Sequence, residues 1–323
     1  MNGYKKVAAV GLFVGVATVL SNPAAYADDP LSGSDTAIIL GGTTEPTPST
    51  AFAQAAENLY LHPLGFDDGA TSSTVCDMIG TDPCAAPLQV LTTPELIQQS
   101  NLTDADDVTL AVENEFNANP GAFTAEDPLT IFGYSQSATA ESIAMTQIND
   151  YSMAHKDSIP LDDLHFVFIG DPSLPGGIGP NLMPDLDSLI GSSMTNTILT
   201  DLGLSDLGVY SVLANATPDD LYPATIYTLD GDGVADYQQD ITAGGPRDAL
   251  YNLFTTHAEY LGLTPTQIAD ATTSIDGDLT NIDISDNINS FDALIGALDN
   301  GIGSSGLFES LFESLQLYLT NMF

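Results

Sequence analysis

Residues Leu129 to Met145 constrain the fold of this chain more than any other stretch. An apolar run, Leu129–Phe132, stops at Gly133-Tyr-Ser-Gln-Ser137, and a helix-compatible segment, Ala138–Met145, starts at once. Strand, sharp turn and helix in succession put Ser135 at the tip of the turn. Its Oγ is then pushed out at the top of a sheet, and the Gln136 N–H points to the same spot from a helix N-terminus. The pattern is a nucleophile elbow in which Ser137 replaces the second glycine of G-x-S-x-G. Small residues belong there because the strand and helix backbones pass close together, and serine is small enough to substitute.

The flanking segments alternate in the same way. Thr36–Leu40 reads as a buried strand closed by Gly41-Gly-Thr-Thr44, and Thr50–Leu59 as a short helix. Residues 62–87 are loop-rich, and Asp104–Asn117 is helical. Leu164–Ile169 is a buried strand ending in Gly170-Asp-Pro172, and residues 173–222 suit a lid or inserted layer. Ala224–Leu229 is a further strand leading into Asp230-Gly-Asp-Gly233, and Asp248–Leu261 reads as a helix. This alternation predicts an α/β fold: an α/β-hydrolase-like, mostly parallel sheet with helices on both faces.

The two ends differ from the middle. Lys5-Lys6, the apolar run Val7–Leu20 and Ala25-Tyr-Ala27 read as a secretory signal peptide over residues 1–27, cut before Asp28. No lipobox cysteine is present, and no later apolar run is long enough to span a bilayer. The expected product is exported, either soluble or peripherally attached. The main domain is expected over 28–265. Residues 266–323 read as an acidic, helical C-terminal extension. Within it Leu307, Phe308, Leu311, Phe312, Leu315 and Leu319 fall along one helical face. That face suits packing on the domain or self-association with a second copy. Glutamates beside it argue against contact with an anionic membrane.

Charge excludes some partners. The chain carries 4 basic and 44 acidic side chains, a formal charge of −40. Removing Lys5 and Lys6 with the leader leaves only Lys156 and Arg247 positive. Nothing remains to neutralise phosphates, so nucleic acid is excluded as a partner. Ion pairs can hold little together, and hydrophobic burial, with 43% hydrophobic residues, must carry the fold. The two cysteines, Cys76 and Cys84, sit in one loop of an exported chain and are expected to form a disulfide. Two cysteines without a nearby histidine cannot complete a zinc tetrahedron. Asp230-Gly-Asp-Gly233 resembles a calcium-loop fragment but lacks the EF-hand spacing. Neither a metal nor a cofactor is expected.

A serine elbow needs a histidine base, and the histidine needs an acid, in the chain order Ser, Asp or Glu, His. Of the four histidines, His62 precedes the serine, His155 lies before any acid strand, and His165 is inside an apolar strand. His257 alone follows both Ser135 and an acid loop. That loop offers Asp230, Asp232 and Asp236, with Asp171 as a competing acid. The second oxyanion donor, beside Gln136, is expected from Gly41–Thr44, with Thr43 the choice. Each such donor contributes about 3 kcal/mol to transition-state stabilisation.

Four segments carry a family resemblance. Ile38-Ile-Leu-Gly-Gly-Thr-Thr-Glu-Pro-Thr-Pro48, Gly133-Tyr-Ser-Gln-Ser137, Phe168-Ile-Gly-Asp-Pro-Ser-Leu-Pro-Gly-Gly-Ile178 and Asp232-Gly-Val-Ala-Asp236 resemble, in order, the PE-PPE domain of mycobacteria and their relatives. The resemblance covers roughly residues 36–262. It implies a serine α/β-hydrolase similar to cutinases, acting on short- to medium-chain acyl esters or transferring acyl groups among cell-envelope glycolipids. A catalytically silent envelope-binding protein on the same fold is the third reading. By motif position it implies Ser135 as nucleophile and makes Asp232 the preferred acid, with His257 where the family's histidine is expected. The helical PE or PPE module that often precedes this domain is replaced here by the signal peptide, which fits the general secretory route.

Overall fold

Alternation along the central strands sets the two faces of the sheet. Ile39, Phe132, Val167, Ile169 and Tyr227 point into one core, while Ile38, Ile131, Phe166, Phe168 and Ile226 point into the other. A strand reverses its side chains at every residue, so runs apolar at every position must be covered twice. The computed structural model describes residues 29–302, apart from 44, 68, 71, 96–100, 157, 196–215, 246–248, 250, 253–254 and 286. Its strands are β1 (Ala37–Ile39), β2 (Val75–Asp77), β3 (Leu88–Val90), β4 (Leu129–Tyr134), β5 (Leu164–Ile169), β6 (Ala224–Leu229), β7 (Thr272–Asp276) and β8 (Leu279–Ile284). They form one sheet in the order β2-β3-β1-β4-β5-β6-β8-β7. Every neighbouring pair is parallel except β7 with β8.

Helix α1 (Thr50–Ala56) supplies Phe52, Ala53 and Ala56 to the first core. Helices α2 (Asn101–Ala118) and α3 (Gln136–Ala154) supply Ala105, Val108, Ala138 and Met145 to the second. The α/β-hydrolase-like architecture, with helices on both faces, is thus present. The chain runs outward from β1 to β2 and β3, then returns past β1 to β4. The carboxyl ends of β1 and β4 therefore flank a topological switch point, where open α/β sheets form their crevice.

The structure adds to some sequence expectations and corrects others. The loop-rich stretch holds a short strand, β2, which carries Cys76, and that residue is disulfide-bonded to Cys84. Residues 173–222 contain helix α4 (Ile178–Ile190), tied to helix α5 (Tyr237–Gly244) by a hydrogen bond from Gln238 Nε2 to Asp185 at 3.1 Å. The helix expected over 248–261 is present at the described residues Ala249, Tyr251 and Asn252, but the chain then goes over to two short 3₁₀ turns, Thr256–Ala258 and Tyr260–Gly262. The chain does not leave the sheet at the expected division, residue 265, and the described part of the expected helical extension holds two strands as well as a helix. After the short helix α6 (Pro265–Ala269) the chain returns as β7 and β8, and β8 pairs with β6 along its whole length. Leu279, Ile282 and Ile284 are buried, so this acidic segment carries an apolar stripe that joins the core. Helix α7 (Ser290–Asp299) then packs Ala293 and Ala297 against the turn at Gly262. The leader, residues 1–27, and the amphipathic segment 307–319 lie outside the described residues.

Two carboxylates among the described residues lie against histidines, Glu57 against His62 and Asp232 against His257, and neither contact is with Lys or Arg. Buried acids therefore answer to burial itself. Burial pushes Asp104 and Asp171 up to about 6. It pushes Glu95 and Glu141 well above the usual carboxylate range, with neighbouring acids adding to the effect. A carboxyl whose folded value exceeds its unfolded value of about 4 binds more protons in the native state, so stability is lost as pH rises through the folded value. Mutual repulsion on a chain of charge −40 has the same sign. The melting temperature should therefore rise by at least a few degrees as pH is lowered from about 8 to about 5. Calorimetry across that range checks this, and a flat or falling melting temperature would contradict it.

Candidate active site

Ser135 joins β4 to α3 with φ 58° and ψ −115°. A non-glycine residue at positive φ is strained, and such strain collects at functional positions. The Ser137 hydroxyl accepts from Tyr134 N–H at 2.9 Å and donates to Tyr134 C=O at 3.0 Å. Ser137 thus braces the strained turn from behind, a contact glycine cannot make. Two glycines bring other segments to the elbow. A Cβ on Gly42 would lie 2.8 Å from the Tyr134 ring and 3.2 Å from the Ser135 Cβ. Gly170, at φ 59°, passes under the imidazole of His257, where a Cβ would approach Cε1 to 2.8 Å.

His257 Nε2 lies 2.8 Å from Ser135 Oγ. His257 Nδ1 lies 3.0 Å and 2.9 Å from the two carboxylate oxygens of Asp232. A carboxylate only accepts, so Nδ1 carries the proton and Nε2 is left to accept from the serine. Asp232 is fully buried. It also accepts from the Val234 N–H at 2.7 Å and from the Tyr260 hydroxyl at 2.8 Å. Serine, base and acid form one line from three separate segments.

The competing acids are elsewhere. Asp171 accepts from the Ser173 N–H at 2.8 Å and the Thr217 hydroxyl at 2.6 Å. Asp230 lies beside Asp236 and Asp283 in a pocket at the edge formed by β6 and β8. Asp236 accepts from the Gly231 N–H at 3.2 Å, and burial pushes it up to about 6. The other histidines are also apart from Ser135. His165 contacts Thr225 at 3.0 Å inside the sheet, and burial pushes its imidazole down to about 4, leaving it neutral. His155 contacts the Tyr151 carbonyl on the surface.

On the opposite side of Ser135 stand Thr43 and Gln136. The Thr43 hydroxyl donates to the Gln136 side-chain carbonyl at 2.9 Å, and Gln136 Nε2 donates to Asp104 at 3.3 Å. The loop after β1 is thereby latched to the first turn of α3. The sequence reading passed over Asp104, Tyr134 and Tyr260. Only adjacency marked the tyrosines, one preceding Ser135 and the other three residues after His257.

A family model described as "PE-PPE domain" matches residues 86–282, more than half of the chain. "Uncharacterized PPE family protein PPE28" of Mycobacterium tuberculosis is 28% identical over 232 residues, covering 72% of this chain and 30% of that protein. "Esterase PE16" of the same organism is 28% identical over 266 residues, covering 78% of this chain and 42% of that protein. The chain spans less than half the length of these relatives. Among solved structures, a cutinase-like protein from Cryptococcus sp. is similar at 15% identity, with 73% of this chain and 98% of that chain covered and a TM-score of 0.33. The RedJ thioesterase from Streptomyces coelicolor is similar at 16% identity, with 73% and 87% covered and a TM-score of 0.30. At TM-scores this low neither likeness bears on the chemistry.

The geometry separates the three aspartates after β6. The labelling rate of Ser135 by a fluorophosphonate should fall by up to ~10⁴ in Asp232→Asn, the scale of losing the acid of a serine triad. Asp230→Asn and Asp236→Asn should stay within about tenfold of wild type. A folded Asp232→Asn protein that labels at the wild-type rate would remove Asp232 from the assignment.

Proposed function

The chain belongs to the PE-PPE domain family, and from that premise we propose that it is an exported serine esterase. Its substrates would be acyl esters of short to medium chain length. The observation that carries the reading is the line Ser135 Oγ to His257 Nε2 at 2.8 Å, with His257 Nδ1 on Asp232 at 2.9 Å. A relative named as an esterase supports the same chemistry.

In this mechanism Ser135 Oγ attacks the ester carbonyl while its proton passes to His257 Nε2. The N–H groups of Thr43 and Gln136 receive the negative charge that develops on the carbonyl oxygen. The tetrahedral intermediate collapses as His257 returns the proton to the departing alcohol, leaving Ser135 acylated. A water molecule then loses a proton to His257 and attacks the acyl carbonyl. Collapse of that second intermediate releases the carboxylic acid, and Ser135 recovers its proton. Asp232 keeps the imidazole in one tautomer throughout and offsets its charge when it is protonated.

Export rests on the leader pattern over residues 1–27 and is supported by the Cys76–Cys84 disulfide, a bond of oxidising compartments. No described helix is long and apolar enough to cross a membrane. The proposed location is the cell envelope or the medium.

The test is hydrolysis of p-nitrophenyl esters of graded chain length by the protein from Asp28 onward, beside Ser135→Ala. Wild type should turn over the shorter chains, and Ser135→Ala should lose at least ~10³ in kcat. Equal rates for the two proteins would end the proposal. A glycolipid acceptor added to the same assay separates hydrolysis from transfer: acyl-glycolipid as the main product would make the protein an acyltransferase. Failure of a fluorophosphonate to label Ser135 would favour the silent binding protein.

A further inference from the structure

The histidine stands on an unusual support. Thr256–Ala258 and Tyr260–Gly262 are single 3₁₀ turns, and their own i to i+3 bonds cannot satisfy every carbonyl. Two tyrosine hydroxyls add bonds to these turns, one to a carbonyl that also accepts from its own i+3 N–H, Leu263 to Tyr260 at 3.3 Å. Tyr134 donates to the His257 carbonyl at 2.7 Å, and Tyr60 donates to the Tyr260 carbonyl at 2.6 Å. The Tyr134 ring also stacks on the imidazole, with centroids 5.2 Å apart and planes 25° apart. The residue that holds the back of the histidine is thus the one immediately before the serine.

Tyr260 acts on the acid. Its hydroxyl accepts from the Leu229 N–H at 2.9 Å, so its single proton is directed to Asp232 Oδ2, 2.8 Å away. Burial, and then the charge of Asp232, push this phenol well above its ordinary value, so it remains a neutral donor. The imidazole and the phenol come from adjacent turns and clasp one carboxylate. A phenylalanine would fill the same space but would leave both Leu229 N–H and Asp232 without this partner.

Resting on the triad reading above, we propose that Tyr260 and Tyr134 are positioning residues of this site. Tyr260 fixes the carboxylate of Asp232, and Tyr134 fixes the backbone that carries the imidazole. Neither touches the reacting atoms. Each acts on how well His257 is aimed at Ser135, and so on kcat rather than on substrate binding.

The experiment uses Tyr260→Phe and Tyr134→Phe, with active sites counted by the end-point of fluorophosphonate labelling. Each variant should lose about tenfold in kcat per labelled site while KM stays within about twofold. A tyrosine that merely filled the core would lower the melting temperature and the count of active sites, but not kcat per site. Labelling rates extend the test to Asp232→Asn, where adding Tyr260→Phe should cost less than about twofold, because its effect runs through the carboxylate. Wild-type kcat per site in either tyrosine variant would overturn the proposal. So would a Tyr260→Phe loss that adds in full to that of Asp232→Asn. If Tyr260→Phe does not fold, Tyr134→Phe decides alone by the same kcat criterion. The outcome is distinct from failure of the esterase reading: in that case Ser135→Ala and His257→Ala would themselves keep wild-type activity.

Discussion

The fold depends on burying carboxylates in a chain that has almost no cations. The sequence holds 44 acidic side chains against 4 basic ones, two of them in the leader. A buried carboxylate without a partner is costly, and Lys or Arg is the usual partner. Here neutral donors take that role. Asp232 is held by a backbone N–H, a phenol and an imidazole. Asp171 is held by a backbone N–H and a threonine, and Glu57 by the N–H and hydroxyl of Ser73. Where donors run out, burial favours the neutral carboxyl. Both oxygens of Glu141 lack a hydrogen-bond partner among the described residues, and its carboxyl is pushed well above its usual range. The neutral donors come from backbone, short hydroxyl side chains and packed rings, so the acids are anchored without long flexible partners.

The same economy shapes the elbow. Ser135 needs a backbone conformation that non-glycine residues rarely adopt, and something must hold it there. Ser137 does so with two hydrogen bonds to Tyr134, while Gln136 is gripped by Thr43 on one side and Asp104 on the other. G-x-S-x-S is therefore a different solution from G-x-S-x-G, not a weakened copy. Glycine in the last position would permit close packing of strand and helix. Serine permits it and adds a brace.

Legibility in the sequence followed from how local the determining interaction was. The strands at residues 129–134, 164–169 and 224–229 are mostly apolar and buried nearly throughout, with a glycine or aspartate at or near the end of each run, and each was readable. The strands at 75–77 and 88–90 have three residues each, too few to show a period. The strand at 279–284 hides three buried residues among Thr, Asn and Asp, so its acidity masked its stripe. The helix expected over 248–261 gives way to 3₁₀ turns from Thr256 onward, where tyrosines from distant segments bond the backbone. In the candidate site, chain order and elimination pointed to Ser135 and His257 before any coordinates. Choosing Asp232 over Asp230 needed a motif register, and the structure shows the physical difference: a fully buried acid against one at a pocket edge. The tyrosine clasp was illegible, because a tyrosine in an apolar context reads as core until its hydroxyl has a partner.

The sheet order explains why so few side chains make a site. The strand after the Gly41–Thr44 loop is not the next in space: β1 is followed by β2 and β3 on one side, and β4 returns on the other. The chain therefore leaves the ends of β1 and β4 in opposite directions and opens a crevice between them. Thr43 lies on one wall of that crevice and Ser135 on the other, close enough for Thr43 to reach Gln136 at 2.9 Å. Asp232 follows β6, two strands further along the sheet, and cannot reach Ser135 itself. The gap is filled by the segment 255–262, which crosses over Gly170 at the end of β5, the strand between. Gly170 lacks a side chain at the point where the imidazole must pass. The spacing of parallel strands, about 4.8 Å, thus leaves a gap that needs a bridge: the imidazole of His257, laid across β5, spans from Asp232 after β6 to Ser135 after β4. Any residue at 170 larger than glycine would displace that bridge while leaving serine and acid in place.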